Sequence, residues 1–445
     1  MRSLSLRLYG IATRLMQPLL RRKLRRRAVA EPGYAVAVEE RFGHYPTTPG
    51  GTDWCWIHAV SLGEARAAAI LIEELRRQAP GIRLLLTNGT ATGREESAKQ
   101  LRPGDVQVWQ PWDTPAAVAR FLDRFSPRIG VLMETEVWPE MTAACAERRI
   151  PLVLANARLN AKSLASAERF GWLARPAYSS LTAVWAQTEA DSHRLVSLGA
   201  KVTGIFGNMK FDAAPDTRQL AAAANLRAKL PKPVIVFASS RDGEEQQLLE
   251  VLKRFGATAP VPPPQAAIKS IAKRVHDVQW MIVPRHPQRF DEVAALVEAN
   301  GFAVARRSAA GEDQGDAEIW LGDSLGEMAL YYGLAHVALL GGSFEPLGGQ
   351  NLIEAAACGC PVVMGTSTFN FAEAADLSLV AGASLRVNDM AQAVKAALLL
   401  VADPARHDAM VQAALAFSSS NRGAAQRTAE ALLAIAEPTE PGLQD

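Results

Sequence analysis

Short apolar runs alternate with helical segments along most of this chain, and nearly every run ends in glycine or polar residues. The clearest example lies at residues 335–365, where the apolar run 337–340 ends in Gly341-Gly342 and a second glycine pair, Gly348-Gly349, follows. A helical segment from about Asn351 and another strand-like run complete the stretch. Strand, glycine-rich turn and helix in this order form half of a βαβ unit. Ligands bind at the carboxyl ends of such strands.

Glu354 falls in the first turn of that predicted helix. The helix dipole stabilises a carboxylate there, but the carboxylate would repel a phosphate lying directly on it. Its natural partner is a pair of vicinal hydroxyls, such as those of a ribose, with the phosphate nearby, where the glycine pairs let the backbone approach. A capping glutamate beside a tight turn is the competing interpretation.

Two series of this pattern run along the chain, before and after residue 215. The first series contains strand-like runs that begin at Trp56, Ile82, Ile129, Leu152, Ala183 and Val202. The second contains runs that begin at Val234, Trp280, Ile319 and Val337. We therefore predict an α/β fold with two doubly wound Rossmann-like domains, residues 29–215 and 216–435, facing a central cleft, and a tail at 436–445. Neither series contains G-x-G-x-x-G or a P-loop, which counts against NAD enzymes and P-loop kinases.

Composition agrees with a large globular protein. The chain has 445 residues, 49% hydrophobic and 21% charged, which is typical of two or more domains. A net charge of +2 provides no global argument for nucleic-acid binding. The cysteines lie in or beside apolar segments without zinc-like spacing, so we expect reduced, buried thiols and no metal; they are Cys55, Cys145, Cys358 and Cys360. A proline- and alanine-rich stretch between Thr258 and Val275 predicts an exposed loop.

The amino-terminal segment, residues 1–28, differs from the rest in its charge. It has no acidic residue and contains a basic run at 21–27. On a helix, one face carries Leu4, Leu8, Ile11, Leu15 and Leu19, and another carries Arg7, Arg14 and Arg21. The internal arginines and Pro18 count against a transmembrane span. The segment has no small-residue cleavage site after a compact apolar core, so we do not expect a removed signal peptide.

An amphipathic helix on the membrane surface, with its basic run against anionic lipid, fits this segment better. A basic helix packed on its own protein is the competing interpretation. The segment lacks interleaved aromatic residues, so we do not expect nucleic-acid binding.

Candidate chemistry lies where strands end. Glu64 begins a helix directly after a strand, a rigid position that suits a general base, although a capping carboxylate is the alternative. Glu134 and Glu136 follow another strand, and neighbouring carboxylates often raise one pKa. Lys210 and Arg285 offer cations from the two series for a phosphate or carboxylate leaving group. No D-x-D pair is present where a nucleotide-bound metal would be expected, so we predict metal-independent chemistry.

Six motifs occur in order: Ser-Leu-Gly-Glu at 61–64, Met-Glu-Thr-Glu-Val-Trp-Pro at 133–139, Ala-Asn-Ala-Arg at 155–158, Gly-Asn-Met-Lys-Phe-Asp at 207–212, Val-Pro-Arg-His-Pro at 283–287 and Gly-Gly-Gln-Asn-Leu-Ile-Glu at 348–354. In combination they are highly specific. The set resembles the 3-deoxy-D-manno-octulosonic acid (Kdo) transferases, which build the inner core of lipopolysaccharide, and the resemblance extends from residue 2 to about residue 433.

This resemblance implies a GT-B glycosyltransferase at the cytoplasmic face of the bacterial inner membrane. The implied donor is CMP-Kdo, and the implied acceptor is the lipid A precursor lipid IVA, an acylated disaccharide bisphosphate that stays in the membrane. Direct inverting displacement without a metal or other cofactor is the implied mechanism. The amphipathic amino-terminal segment would then keep the enzyme close to its acceptor.

Residue by residue, the resemblance implies that Glu64 is the general base and that Glu134 and Lys210 assist the transition state. It implies CMP contacts from Pro284 and Arg285, from Leu325, Gly326 and Glu327, and from Asn351, Leu352, Ile353 and Glu354. We add His286, Gly348 and Gly349, which adjoin these segments, to the predicted donor site. The implied ribose contact of Glu354 agrees with the argument from its place on the helix.

Two departures from the family pattern concern the donor pocket. Gln350 stands where many relatives have histidine, and Ser-Arg-Asp-Gly-Glu-Glu at 240–245 replaces a more usual Thr-His-Glu-Gly-Glu-Glu, so Arg241 takes the place of a histidine. Two other functional classes remain open. One is another GT-B enzyme, a UDP-sugar transferase or epimerase, which would prefer UDP to CMP. The other is a non-catalytic sugar-nucleotide-binding protein, in which Glu64→Ala would change no activity.

Overall fold

The computed structural model describes residues 3–45, 49, 51–256, 275–310 and 316–436. The predicted loop at 258–274 and all but the first residue of the predicted tail lie outside these ranges. The chain forms two compact units. The first contains the residues up to Asp212 together with the last helix, and the second extends from Ala213 to Ser420.

The first unit is built on a seven-stranded parallel sheet. Its strands are β1 (Cys55–His58), β2 (Leu84–Asn88), β3 (Val106–Trp109), β4 (Ile129–Met133), β5 (Leu152–Ala157), β6 (Ala183–Ala186) and β7 (Val202–Ile205). They lie in the order β3-β2-β1-β4-β5-β6-β7. The chain runs outward in both directions from β1 and β4, so the boundary between these two strands is the topological switch point at which a doubly wound sheet binds its ligand.

Helices cover both faces of this sheet. They are α1 (Leu4–Leu15), α2 (Gln17–Ala30), α3 (Leu62–Gln78), α4 (Ala91–Ala98), α5 (Pro115–Phe125), α6 (Pro139–Glu147), α7 (Ala161–Arg169), α8 (Gly171–Ser179) and α9 (Glu189–Ser197). Alternate strand residues enter opposite cores. Trp56 packs in one apolar cluster with residues of α5, whereas Cys55 and Ile57 pack in the other with residues of α3.

The second unit contains its own seven-stranded parallel sheet. Its strands are β8 (Val234–Ser240), β9 (Gln279–Pro284), β10 (Val304–Arg306), β11 (Ile319–Leu321), β12 (Ala335–Leu340), β13 (Val362–Met364) and β14 (Ser384–Arg386). The order is β10-β11-β9-β8-β12-β13-β14, so the switch point lies between β8 and β12. Both doubly wound parallel sheets were predicted from the sequence.

The helices of the second unit are α10 (Thr217–Arg227), α11 (Glu244–Gly256), α12 (Phe290–Ala299), α13 (Arg307–Ala310), α14 (Met328–Leu334), α15 (Leu352–Ala357), α16 (Ala372–Val380), α17 (Met390–Val401) and α18 (Pro404–Ser420). Helix α15 starts after the cap residue Asn351, which places Glu354 in its first turn as predicted. The sequence pattern did not reveal the short outer strands β10 and β14. It also did not reveal β3, an outer strand of the first sheet.

The last helix, α19 (Ala424–Ala436), belongs to the first unit, although the predicted second domain extends to residue 435. Its buried face packs with α3 in the first core, through small residues such as Ala425 and Ala429. The carboxylate of Asp212 accepts hydrogen bonds from the Gly423 and Ala425 N–H groups and so caps this helix. The last helix therefore belongs to the first unit, because the core of that unit buries its apolar face.

The amino-terminal segment forms two helices rather than one. The chain breaks at Met16, and Pro18 lies in the first turn of α2, where a missing N–H costs nothing. The buried face of α1 contains Leu6 and Gly10 and packs on the first unit. The leucine-rich face faces solvent; its residues Leu4, Leu8, Ile11 and Leu15 are 55–75% exposed. Among the described residues, no helix combines the length and apolarity needed to cross a membrane.

All four cysteines are free thiols. Three of them are buried as predicted, but Cys358 is only half-buried, because it ends the short helix α15 instead of lying within a strand.

Candidate active site

Glu64 lies at the carboxyl end of β1, in the first turn of α3. Its side chain is 8% exposed. One carboxylate oxygen accepts a hydrogen bond from the Val60 N–H at 2.7 Å, and the other accepts one from the Ser61 hydroxyl at 3.1 Å. Ser61 is itself the cap of α3. The capping interpretation therefore describes the geometry of Glu64 correctly, and this geometry holds the carboxylate rigidly at the switch point.

The environment of Glu64 raises its pKa to about 7. Burial is the largest cause, and the nearby carboxylates of Glu134 and Glu136 add to it. The hydrogen bonds from Val60 and Ser61 act in the opposite direction but do not cancel the effect. A carboxyl group with a pKa near neutrality is suited to accept a proton from a substrate hydroxyl.

Close packing of α4 fixes the turn that carries Glu64. The start of α4 lies against this turn at Gly93, where a Cβ atom would approach the Val60 carbonyl oxygen to 2.8 Å. The Thr90 hydroxyl donates a hydrogen bond to the same carbonyl at 2.8 Å. A residue larger than glycine at position 93 would displace the turn and its glutamate.

Glu134 follows β4, on the other side of the switch point. It is buried, with a left-handed backbone at φ +57°, a conformation that costs free energy for a residue with a side chain. Its carboxylate pairs with two cations: Arg158 Nε lies 2.7 Å from one oxygen, and Lys210 Nζ lies 3.2 Å from the other. The structure thus brings the three predicted catalytic residues of the first unit together and adds Arg158 to them.

The position of Lys210 depends on Asn156. Lys210 belongs to a short 3₁₀ turn, Met209–Asp212, which follows β7. The Met209 N–H donates a hydrogen bond to the Asn156 side-chain oxygen at 3.0 Å. Asn156 is buried at the end of β5 with φ +51°, which asparagine tolerates better than most residues. Because Asp212 caps α19, this turn is held from both sides.

In the second unit, two buried glutamates organise the loops at the switch point. The Glu244 carboxylate accepts hydrogen bonds from the N–H groups of Arg241, Gly342 and Phe344, at 3.0, 2.7 and 3.1 Å. It therefore ties the turn after β8 to the glycine-rich loop after β12. Glu245 accepts hydrogen bonds from the Ser240 hydroxyl and from Arg289, both at 2.8 Å.

Arginines cluster beside these loops, in the segments after β8 and β9. Arg241, Arg285 and Arg289 all act on the imidazole of His286, and together with partial burial they lower its pKa. Burial is the largest cause of this shift. The Arg285 N–H donates a hydrogen bond to the Ser240 carbonyl at 3.0 Å, which joins the segments after β8 and β9. This concentration of positive charge suits a phosphate group.

The other predicted donor-site residues lie on the same edge of the second sheet. Leu325, Gly326 and Glu327 follow β11; Leu325 is exposed, and Glu327 forms an ion pair with Arg307 at 3.1 Å. This pairing is the largest cause of the lowered pKa of Glu327. Gly348 and Gly349 both have positive φ, +88° and +70°, so the turn before α15 requires glycine.

Several residues of this architecture were not among the predicted site residues: Asn156, Arg158, Glu244, Glu245 and Arg289. The first four lie in motifs that the sequence analysis quoted, Asn156 and Arg158 at the end of β5 and Glu244 and Glu245 at the start of α11, so their position was a usable signal. Arg289 had none, because it lies beyond the motif at 283–287 and meets Glu245 only in the folded unit.

One description recurs among the known proteins whose sequences are similar to this chain. A family model described as 3-deoxy-D-manno-octulosonic-acid transferase (kdotransferase) matches residues 37–213. The 3-deoxy-D-manno-octulosonic acid transferase of Bordetella pertussis is 42% identical and covers 95% of this chain and 98% of its own. Its counterpart from Haemophilus influenzae is 31% identical, with coverage of 94% and 96%. A UDP-GlcNAc 2-epimerase from Neisseria meningitidis shares the fold at a TM-score of 0.54, with 17% identity and coverage of 86% and 100%.

Proposed function

The chain belongs to the 3-deoxy-D-manno-octulosonic acid (Kdo) transferase family, and on that premise we propose that it moves Kdo from CMP-Kdo to a lipid A precursor and releases CMP. It acts in the biosynthesis of lipopolysaccharide. The observation that carries the mechanism is Glu64, a buried carboxyl group with a pKa of about 7 at the switch point of the first sheet.

Glu64 is the general base of the proposed reaction. Its carboxylate takes the proton of an acceptor hydroxyl as that oxygen forms a bond with the anomeric carbon of Kdo. The bond from the anomeric carbon to the phosphate oxygen breaks in the same step, and CMP leaves with the electron pair. Attack opposite to the leaving group inverts the anomeric configuration.

Glu134 and its two cations provide electrostatic support in the first unit. A single carboxylate between Arg158 and Lys210 leaves a net positive charge, held in place by short ion pairs before substrate arrives. Kdo carries a carboxylate, and negative charge develops on the leaving phosphate, so preorganised positive charge lowers the barrier. The ion pairs also hold both cations against Glu134 at the end of β4, so their side chains do not move freely in solvent.

The second unit binds the nucleotide of the donor in this proposal. Arg241 and Arg285 provide cations for the phosphate, and Arg241 takes the place at which the family pattern has histidine. The glycine pair at 348–349 leaves room for the ligand, and Glu354 accepts hydrogen bonds from the ribose hydroxyls. Glu244 is buried behind the loops and positions them without touching the ligand.

We further propose that transfer requires no metal ion. The phosphate leaving group of CMP-Kdo carries less charge than a diphosphate, and the arginine cluster already supplies cations to it. Addition of EDTA should therefore leave the rate unchanged.

The amino-terminal helices bring the enzyme to the cytoplasmic face of the inner membrane in this proposal. The exposed leucine face of α1 and the basic run of α2 provide the apolar area and positive charge that an anionic membrane surface attracts. The proposed acceptor is itself a membrane lipid, so an enzyme attached to the membrane surface would encounter it by diffusion along that surface.

The decisive experiment measures transfer from CMP-Kdo, generated in situ, to a tetra-acylated lipid A precursor in the presence of EDTA. Wild type should form product, and Glu64→Ala should lower the rate by about 10²- to 10⁴-fold. Glu73→Ala, on the exposed side of the same helix, is the matched control and should retain the wild-type rate.

Two negative results would have different meanings. A folded wild type that binds CMP but forms no product would contradict the proposed acceptor. A wild type that binds UDP in preference to CMP would contradict the proposed donor and support a UDP-sugar enzyme instead.

A further inference from the structure

We propose that a groove in the first unit binds one acyl chain of the lipid acceptor. The groove, about 410 Å³ in volume, lies between the loop after β4 and the helix pair α7–α8. This inference rests on the proposed function, because it supposes that the acceptor is an acylated sugar. It adds a binding site for the apolar part of the acceptor.

The lining of the groove is mainly apolar. It includes Val137, Leu159, Ala167, Phe170 and Leu173. Phe170 is 53% exposed, a large cost for an aromatic side chain that has no ligand to cover it. Ser163 and Ser166 are the polar exceptions on α7. The volume lies within the range of small-molecule sites, which is about 300–1,000 Å³.

One end of the groove lies at the proposed catalytic residues. Thr135 lines it and stands between Glu134 and Glu136 in sequence. Leu159 lines it next to Arg158, whose guanidinium pairs with Glu134. A ligand with a polar sugar at Glu134 can therefore extend its apolar part directly into the groove. This order, anionic sugar followed by apolar chain, is the chemistry of a glycolipid.

The groove and the proposed membrane surface are linked by two shared helices. Helix α1, which exposes its leucine face, packs on α6 and α8. The same two helices contribute Pro139, Leu173 and Ala174 to the groove. An acyl chain in the groove would thus leave the membrane beside α1 and remain in an apolar environment while the sugar approaches Glu64. We infer that the groove lowers the cost of lifting the reactive hydroxyl out of the headgroup region.

A photoreactive acceptor tests this proposal directly. A lipid A precursor with a diazirine on one acyl chain is irradiated with the full-length enzyme in vesicles, and the labelled peptides are identified by mass spectrometry. We expect adducts within residues 135–178. Ala167→Trp, or Ser166→Trp at a more exposed position of the lining, should reduce the adduct. Ala165→Trp, on the same helix but outside the lining, is the control and should not.

Kinetics provide the second measurement. Displacement of about two methylene groups from the groove corresponds to about a tenfold loss of affinity. Ala167→Trp should therefore raise the KM for the acylated acceptor about tenfold and leave transfer to the acyl-free disaccharide unchanged. An equal loss with both acceptors would show a general structural effect and overturn the proposal.

Other occupants would also overturn it. Equal labelling by a diazirine phospholipid would show that the groove contacts bulk lipid, and a change in mass in solution caused by Ala167→Trp would assign it to a second copy of the chain. Cross-linking needs no turnover, so it decides the role of the groove even if no sugar is transferred. Absence of transfer by wild type would contradict the proposed function instead.

Discussion

Replacement of Glu64 by glutamine should abolish transfer and stabilise the folded protein above neutral pH. The carboxyl group is buried beside two other carboxylates, and these surroundings disfavour its charge. Glutamine has nearly the same shape and cannot ionise. The substitution therefore removes the proposed base and also removes the cost of holding a charge at this position.

The structure determines the sign and size of this effect. A carboxyl group with a higher pKa in the folded than in the unfolded protein stabilises folding at low pH, and this contribution is lost as the pH rises through the folded pKa. For Glu64 the window extends from its ordinary value of 4.5 to about 7. At about 1.36 kcal/mol per pH unit, the wild type loses up to about 3 kcal/mol across this window.

Glutamine cannot ionise, so the variant does not lose this stability as the pH rises. Its side chain accepts the hydrogen bonds of the Val60 N–H and the Ser61 hydroxyl less well than a carboxylate does, which costs about 1 kcal/mol of stability. We therefore expect Glu64→Gln to gain stability relative to wild type as the pH rises, to roughly 2 kcal/mol above pH 8.

Urea unfolding of Glu64→Gln and wild type between pH 5 and pH 8 measures this difference. Glu73→Gln serves as the exposed control, and its stability difference from wild type should not change with pH. Transfer by the wild type should fall as the pH drops through about 7, because the base becomes protonated. A stability difference that stays constant from pH 5 to pH 8, or full activity at pH 5, would refute the reasoning.

Three further perturbations test other parts of the structure. Asn156→Ala should lower kcat about tenfold without weakening CMP binding, because it releases the turn that carries Lys210, the proposed catalytic lysine; single-turnover rates and calorimetric CMP titrations measure this. Glu245→Gln should destabilise the protein by about 3 kcal/mol, because it removes the buried charge partner of the largely buried Arg289. Glu292→Gln, at an exposed partner of the same arginine, should change stability by less than about 0.5 kcal/mol in urea unfolding. Leu8→Glu should reduce sedimentation with anionic vesicles, whereas Val196→Glu, with the same 55% exposure, should not.

The two units share one design, which explains where their functional residues lie. In each sheet the chain changes direction once, and buried carboxylates lie beside that point. In the first unit these are Glu64 and Glu134, which face a proposed substrate. In the second they are Glu244 and Glu245, which are fully buried and hold loops together. The same residue type thus has a proposed catalytic role in one sheet and positions loops in the other.

Inner strands were predictable from sequence because both of their faces are buried. Strands such as β4 and β12 are short, nearly continuous apolar runs, and this pattern identifies them as buried parallel strands. Strands β10 and β14 were missed because they are three-residue edge strands with few buried residues, so their apolar pattern is weak. Strand β3 was missed although three of its four residues are buried. Edge strands depend on pairing with a neighbour more than on their own composition.

The sequence by itself determined the two parallel α/β units and the polar strand ends, and it selected Glu64, Glu134 and Lys210 as catalytic candidates, because strand periodicity and motif order are local properties of the chain. Only the tertiary structure decided that Arg158 joins Glu134, that Asn156 holds the lysine turn, and that the last helix returns to the first unit. Each of these depends on contacts between residues far apart in the chain, and sheet order sets their distances. The raised pKa of Glu64 is of the same kind, since burial and neighbouring charge exist only after folding.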